Sequence, residues 1–168
     1  MTETASGAAP RSPLFVRIND DMKAAMRAKQ SDRLLAIRGL LAAIKQKEVD
    51  ERVVVDDVQI VAIVDKLCKQ RKDSISQFEA AGRTDLVAKE KFELDVLSAY
   101  LPQQASDDEV AAEIDAAVAA VGATGPQDMG KVMGVLKAKL AGRTDLSAVS
   151  AKVKARLGPV PTKIDPAR

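Results

Sequence analysis

Three groupings of side chains in this sequence are of types that could do chemistry. Cys68 is the only thiol, and Lys66, Lys69, Arg71 and Lys72 stand near it in sequence, bases able to lower a thiol pKa. Carboxylates come in runs at Asp20-Asp21, Asp56-Asp57 and Asp107-Asp108-Glu109, the groups that general acid/base or divalent-metal chemistry would use. Between Pro126 and Leu157, the bases Lys131, Lys137, Lys139, Arg143, Lys152, Lys154 and Arg156 face only Asp128 and Asp145 in number. A local excess of that kind suits a phosphate-bearing partner.

The first two groupings lead to no reaction. The chain has no histidine, so the thiol lacks its usual general base, and Cys68 reads as a small buried apolar residue. Each acidic run stands where a helix is expected to begin, and there the helix dipole stabilises negative charge without any catalytic role. No Gly-x4-Gly-Lys-Ser/Thr loop, Gly-x-Ser-x-Gly elbow or Cys-x2-Cys pair occurs. Neither a catalytic residue nor a metal or cofactor site is assigned.

The basic grouping is the candidate binding site: Gly130, Lys131, Gly134, Lys137, Lys139, Arg143, Lys152 and Lys154. The chain's net charge of +2 is too small to argue a polyanionic partner by itself. Five acids, Asp107, Asp108, Glu109, Glu113 and Asp115, also crowd the stretch just before it. At helical spacing Met129, Val132, Met133, Leu136 and Leu140 share one face, Lys131 lies opposite, and Gly130 and Gly134 fall off the apolar stripe. Interior helix glycines cost about 1 kcal/mol each relative to Ala. Two explanations stand: a partner's backbone comes close there, or the glycines pack against a neighbouring lobe. The aromatics Phe15, Phe78, Phe92 and Tyr100 all precede this region, which excludes a base-stacking platform. A nucleic-acid partner would be read by its phosphates and folded shape, as structured RNA is, and a merely solvated Lys-rich surface is the alternative.

The elements that must position these residues are helices. The chain is 46% hydrophobic but only 2% aromatic, rich in Ala, Leu, Lys and Glu, and no alternating run reaches strand length. Apolar residues fall at helical spacing from Leu14 (Ile18, Met22, Ala25), from Ser31 (Leu34, Ile37, Leu41, Ile44) and from Ile60 to Phe78. Leu86, Leu94, Leu97 and Leu101 continue the pattern after a stop at Gly82. Asp56-x-x-Gln59 and Ser106-x-x-Glu109 read as capping boxes. Tyr100-Leu101-Pro102 ends the fourth helix. A fifth follows through Val110, Ile114 and Val121, a sixth starts with Pro126 as its first helical residue, and Leu146, Val149, Val153 and Leu157 mark a seventh.

The expectation is an all-α chain: a disordered tail over 1–13, an N-terminal four-helix lobe over 14–101, a C-terminal three-helix lobe over 102–157 and a proline-bearing disordered tail over 158–168. Ala81-Gly82-Arg83-Thr84-Asp85-Leu86 recurs as Ala141-Gly142-Arg143-Thr144-Asp145-Leu146, which fits two helix-stop, helix-start joints better than internal duplication. Met1 to Pro13 lacks the apolar run of a secretion signal, no membrane partner is expected, and the lone cysteine suggests a reducing, cytoplasmic setting.

Asp21-Met22-Lys23-Ala24-Ala25-Met26-Arg27, Ala42-Ala43-Ile44-Lys45, Glu48-Val49-Asp50, Tyr100-Leu101-Pro102 and Asp128-Met129-Gly130-Lys131-Val132-Met133-Gly134 together resemble the GatB/YqeY family, from about Leu14 to Leu157. The resemblance implies a helical lobe followed by a three-helix lobe related to the tail of the B subunit of glutamine-dependent Asp/Glu-tRNA amidotransferase. In that enzyme the tail helps hold tRNA. Gly130, Lys131 and Gly134 match the tail motif, while Gln127 and Ala105 stand where Lys and Leu are expected. What it implies is a non-catalytic tRNA-binding or amidotransferase-related accessory protein, with amidotransferase or aminoacyl-tRNA synthetase subunits as further partners. Two alternatives remain: a component of glutamine-dependent amido transfer (carbon-nitrogen ligase activity with glutamine as amido-N-donor) acting in a complex, or a protein-interaction module. Alone, a chain without an ATP loop, histidine or amidase signature has nothing to run that ligation.

Overall fold

A computed structural model describes residues 10–158, whose regular structure is entirely helical: α1 (Pro13–Arg27), α2 (Ser31–Glu51), α3 (Asp57–Ala80), α4 (Thr84–Ser98), α5 (Asp107–Val121), α6 (Met129–Leu140) and α7 (Leu146–Leu157), with one 3-10 turn at Pro126–Asp128. Contacts divide the chain into two units, Met1–Pro102 and Gln103–Arg168. None of the described helices is long and apolar enough to cross a membrane.

In the first unit, Ser12 caps α1 by accepting the Phe15 N–H at 3.3 Å, and Pro13 opens the helix where a missing N–H leaves nothing unpaired. Arg11, Ser12 and Pro13 were expected in a loose tail; instead the Arg11 guanidinium donates to Glu48 at 2.7 and 3.2 Å and covers the Phe15 ring at 3.6 Å. The remainder of both expected tails, 1–9 and 159–168, lies outside the described residues. Helix α2 buries Ala36, Ile37, Leu40 and Ile44, and a capping box at Asp56 and Gln59 starts α3. Gly82, at φ 68°, makes the left-handed turn that folds α4 back along α3. Ile18, Ile37, Leu40, Ile44, Ile60, Val64 and Leu97 form the core, with Cys68 among them.

Helix α4 ends at Ser98, and Tyr100 and Leu101 close it with tighter bonds back to Leu97 and Ser98, before Pro102. The Tyr100 ring is buried, its Oη donates to Asp21 at 2.7 Å, and Arg17 lies 5.2 Å from the ring centre. The Tyr100–Asp21 contact and the hydrogen bond that Arg17 donates to the Ala99 carbonyl at 3.3 Å join α1 to the end of α4. Two of the family-like motifs, around Asp21 and Tyr100, meet there.

In the second unit, Ser106 and Glu109 form the capping box of α5, and Gly122 ends that helix at φ 62°. Pro126 opens the 3-10 turn rather than α6, which begins at Met129. Val110, Ile114, Ala117, Val132, Leu136, Leu140, Val149 and Val153 make the core of this three-helix unit. The incoming strand of chain is tied to the α6–α7 joint: Ala105 N–H donates to the Arg143 carbonyl at 2.8 Å, and Gln104 to the Gly142 carbonyl at 2.9 Å.

Candidate nucleic-acid interface

Helices α6 and α7 carry the bases singled out in the sequence, and α5 stands beside both with its acids. Those acids take up most of the bases. Lys139 pairs with Glu113 at 3.0 Å, Arg143 with Glu109 at 3.7 Å, Lys152 with Asp107 at 2.8 Å and Arg156 with Asp115 at 2.9 Å. Lys131 reaches back 3.4 Å to Asp128 on the turn before its own helix. The expected continuous basic surface is therefore divided. Along the α5 side it is a zwitterionic seam, in which each positive charge has a negative neighbour.

The acids respond accordingly. The Lys152 ammonium holds the Asp107 carboxyl below its ordinary range. Glu109 is lowered by the Ser106 backbone N–H of its capping box, with Arg143 adding to it, and Asp128 by the Thr124 backbone N–H, with Lys131 adding to it. The pairs of Lys152 with Asp107 and of Arg143 with Glu109 lie at the surface, where water screens such pairs, so a polyanion can compete for these bases.

The other edge differs. One helical turn is 3.6 residues, so Gly130 and Lys137 sit roughly 160–180° around α6 from Lys139, with Gly134 near them. By the same count Lys154 sits roughly 160° around α7 from both Lys152 and Arg156. Since Lys139, Lys152 and Arg156 mark the edges facing α5, the edge remote from α5 holds Gly130, Gly134, Lys137 and Lys154. Among the described residues Lys137 and Lys154 have no acid partner. A Cβ built on Gly130 or Gly134 meets nothing within 4 Å. Packing within the second unit itself therefore does not account for these glycines.

The remaining candidates for chemistry are structural. Cys68 is buried, and burial raises its pKa although Ser98 lies 3.9 Å away. Asp56, Ser106 and Glu109 serve as helix caps. Among the described residues no three His, Cys, Asp or Glu side chains gather to hold a metal ion.

A family model described as "Yqey-like protein" matches residues 15–157, nearly the whole described chain. The chain belongs to the YqeY-like family. Its curated relatives include proteins named "Altered inheritance of mitochondria protein 41, mitochondrial". The one from Eremothecium gossypii is 41% identical over 105 residues, covering 61% of this chain and 57% of that protein. Those from Lachancea thermotolerans (42% over 102 residues, 60% and 54%) and Saccharomyces cerevisiae strain S288c (42% over 87 residues, 51% and 47%) are similar to it to the same degree. This YqeY-like chain spans about half the length of the curated relatives it matches.

Their printed names overturn the cytoplasmic expectation, since these relatives are mitochondrial proteins. The expectation rested on a single cysteine, which argues against a disulfide-built fold and does not distinguish among reducing compartments.

Proposed function

We propose that this YqeY-like protein is a non-catalytic tRNA-binding accessory, and that tRNA rests on the α6–α7 edge remote from α5. The single observation that carries the reading is the open space over Gly130 and Gly134, beside Lys137 and Lys154, which have no acid partner among the described residues. A sugar-phosphate backbone can approach a helix closely only where side chains are missing, and the neighbouring ammonium groups then meet its phosphates. With no aromatic side chain in the second unit, folded shape and phosphate spacing are what such a surface reads. The resemblance to the amidotransferase tail supports the same partner, through Gly130, Lys131 and Gly134.

Lys139, Arg143 and Lys152 take a secondary part here. They add attraction only as far as tRNA phosphates displace Glu113, Glu109 and Asp107. Titrating fluorescent folded tRNA with the full chain over a range of salt tests the proposal. Lys137→Gln with Lys154→Gln is expected to lower the slope of log affinity against log salt by roughly one unit per lysine that meets a phosphate. Lys152→Gln is expected to lower it less. Absence of binding at low salt, or an unchanged slope in the double variant, overturns the assignment.

A further inference from the structure

Helix α2 has apolar residues on two faces, and the unit it belongs to uses one. Ala36, Ile37, Leu40 and Ile44 enter the core. On the opposite side Leu35, Gly39, Ala42, Gln46 and Val49 follow one another at alternating steps of four and three, the spacing of a seam that receives another helix. Leu35 is 58% exposed and Val49 62%, while a Cβ on Gly39 meets nothing within 4 Å. The seam thus has bulk at its ends and almost none in the middle, where a second helix could approach α2 most closely.

A cleft of about 430 Å³ opens at the first end of the seam, lined by Leu35 with Ala88 and Phe92 of α4 and rimmed by Asp32, Lys89 and Glu93. Phe92 is 44% exposed there. Leu35 and Phe92 line one cleft and are both exposed, so the apolar surface there is contiguous rather than scattered, as at interaction sites.

Charge selects the occupant. Arg38 and Lys45 stand seven residues apart along one flank of the seam, and among the described residues neither has a carboxylate partner. A second copy of α2 lying antiparallel would set this basic flank against its own equivalent. A parallel copy would offer it Ala43 and Asp50, and Asp50 already accepts from Gln46 at 2.7 Å. A nucleic acid would use the bases but leave Leu35, Val49 and Phe92 in water.

We propose that the outer face of α2 docks an amphipathic helix of a partner protein, one with apolar residues at heptad spacing and Asp or Glu along the flank that meets Arg38 and Lys45. Its largest apolar side chain enters the Leu35–Phe92 cleft. This site is on the first unit and is independent of the tRNA proposal for the second.

Two synthetic three-heptad peptides serve as probes for the full chain, both with Leu at the seam positions, one with Glu and the other with Lys on its flanks. Self-repulsion keeps each monomeric. By fluorescence anisotropy the Glu peptide is expected to bind at least tenfold more tightly than the Lys peptide. Arg38→Glu with Lys45→Glu should reverse that order, and Leu35→Ala should weaken the Glu peptide at least tenfold. Circular dichroism and thermal unfolding check that each variant is folded. Equal binding of both peptides, no binding of either, or an unmoved preference in the charge-reversed variant overturns the proposal. So does sedimentation showing a dimer that Leu35→Ala dissociates, or a short RNA duplex that binds the wild-type chain more tightly than the Glu peptide does and loses that affinity in the charge-reversed variant.

Discussion

Replacing Gly134 by Ala should make this protein more stable and worse at holding tRNA. Gly134 lies in the middle of α6, is not at positive φ, and a Cβ there meets nothing within 4 Å. The substitution therefore brings only the helix-propensity gain, about 1 kcal/mol. For a unit as small as the three-helix one, that is a rise in melting temperature of about 4 °C or more. The added methyl group stands where the sugar-phosphate backbone is proposed to come, so tRNA affinity should fall while the fold improves. Gly134→Leu, a larger side chain at the same exposed position, should extend the loss. Thermal unfolding followed by circular dichroism gives the first quantity and tRNA titration the second. A lower melting temperature would mean that something covers this helix face in the chain itself. A higher one with unchanged tRNA affinity for Gly134→Leu would refute the proposed contact.

Four further outcomes follow from the geometry. Tyr100→Phe should destabilise the first unit by about 1–2 kcal/mol in chemical denaturation, because Asp21 loses the hydroxyl that donates to it at 2.7 Å. Burial, reinforced by Asp21, raises the Tyr100 pKa above 10.0, so above that pH the unfolded chain sheds a proton the folded one keeps. Stability of the wild type should fall there, and Tyr100→Phe should flatten the fall. Glu48 is the opposite case: burial works against its charge, but the Arg11 guanidinium and the Val55 N–H outweigh it and hold its pKa below 4.5. Its contribution is complete above pH 4.5 and disappears as pH falls through the lowered value, so Glu48→Gln should remove part of the acid dependence of unfolding. In the second unit Leu136→Ala should cost about 3 kcal/mol by leaving a cavity at a fully buried position, with little effect on melting of the first unit.

The helices were legible because their signals are local. Asp56 with Gln59 and Ser106 with Glu109 announce helix starts by residue type alone, and Gly82, Gly122 and Gly142 take the positive φ that such stops require. Pro126 misled for a local reason too, since a proline suits the first position of a 3-10 turn as well as that of an α-helix. Arg11 was hidden because what holds it is Glu48, a long-range partner that no spacing rule reveals, whereas Ser12-Pro13 is itself a local helix-start signal.

The binding surface was legible in its residue types and illegible in its pairing. Counting charge along the sequence separates the acids of α5 from the bases of α6 and α7, yet the three-helix packing brings them together, Asp107 to Lys152 and Asp115 to Arg156. Only the bases turned away from α5 escape. The outer seam of α2 shows the reverse: its four-and-three spacing from Leu35 to Val49 is visible in the sequence, but the inner stripe alone explains the helix, so nothing in the pattern calls for a second face until exposure is known.

The most direct test maps folded tRNA onto the isotopically labelled chain by amide chemical shifts. The backbone signals of Gly130, Gly134, Lys137 and Lys154 should move or broaden first, and those of Asp107 to Asp115 should stay in place. Changes confined to α5 and the paired bases opposite it, or spread over the first unit with α6 silent, would contradict the proposed interface.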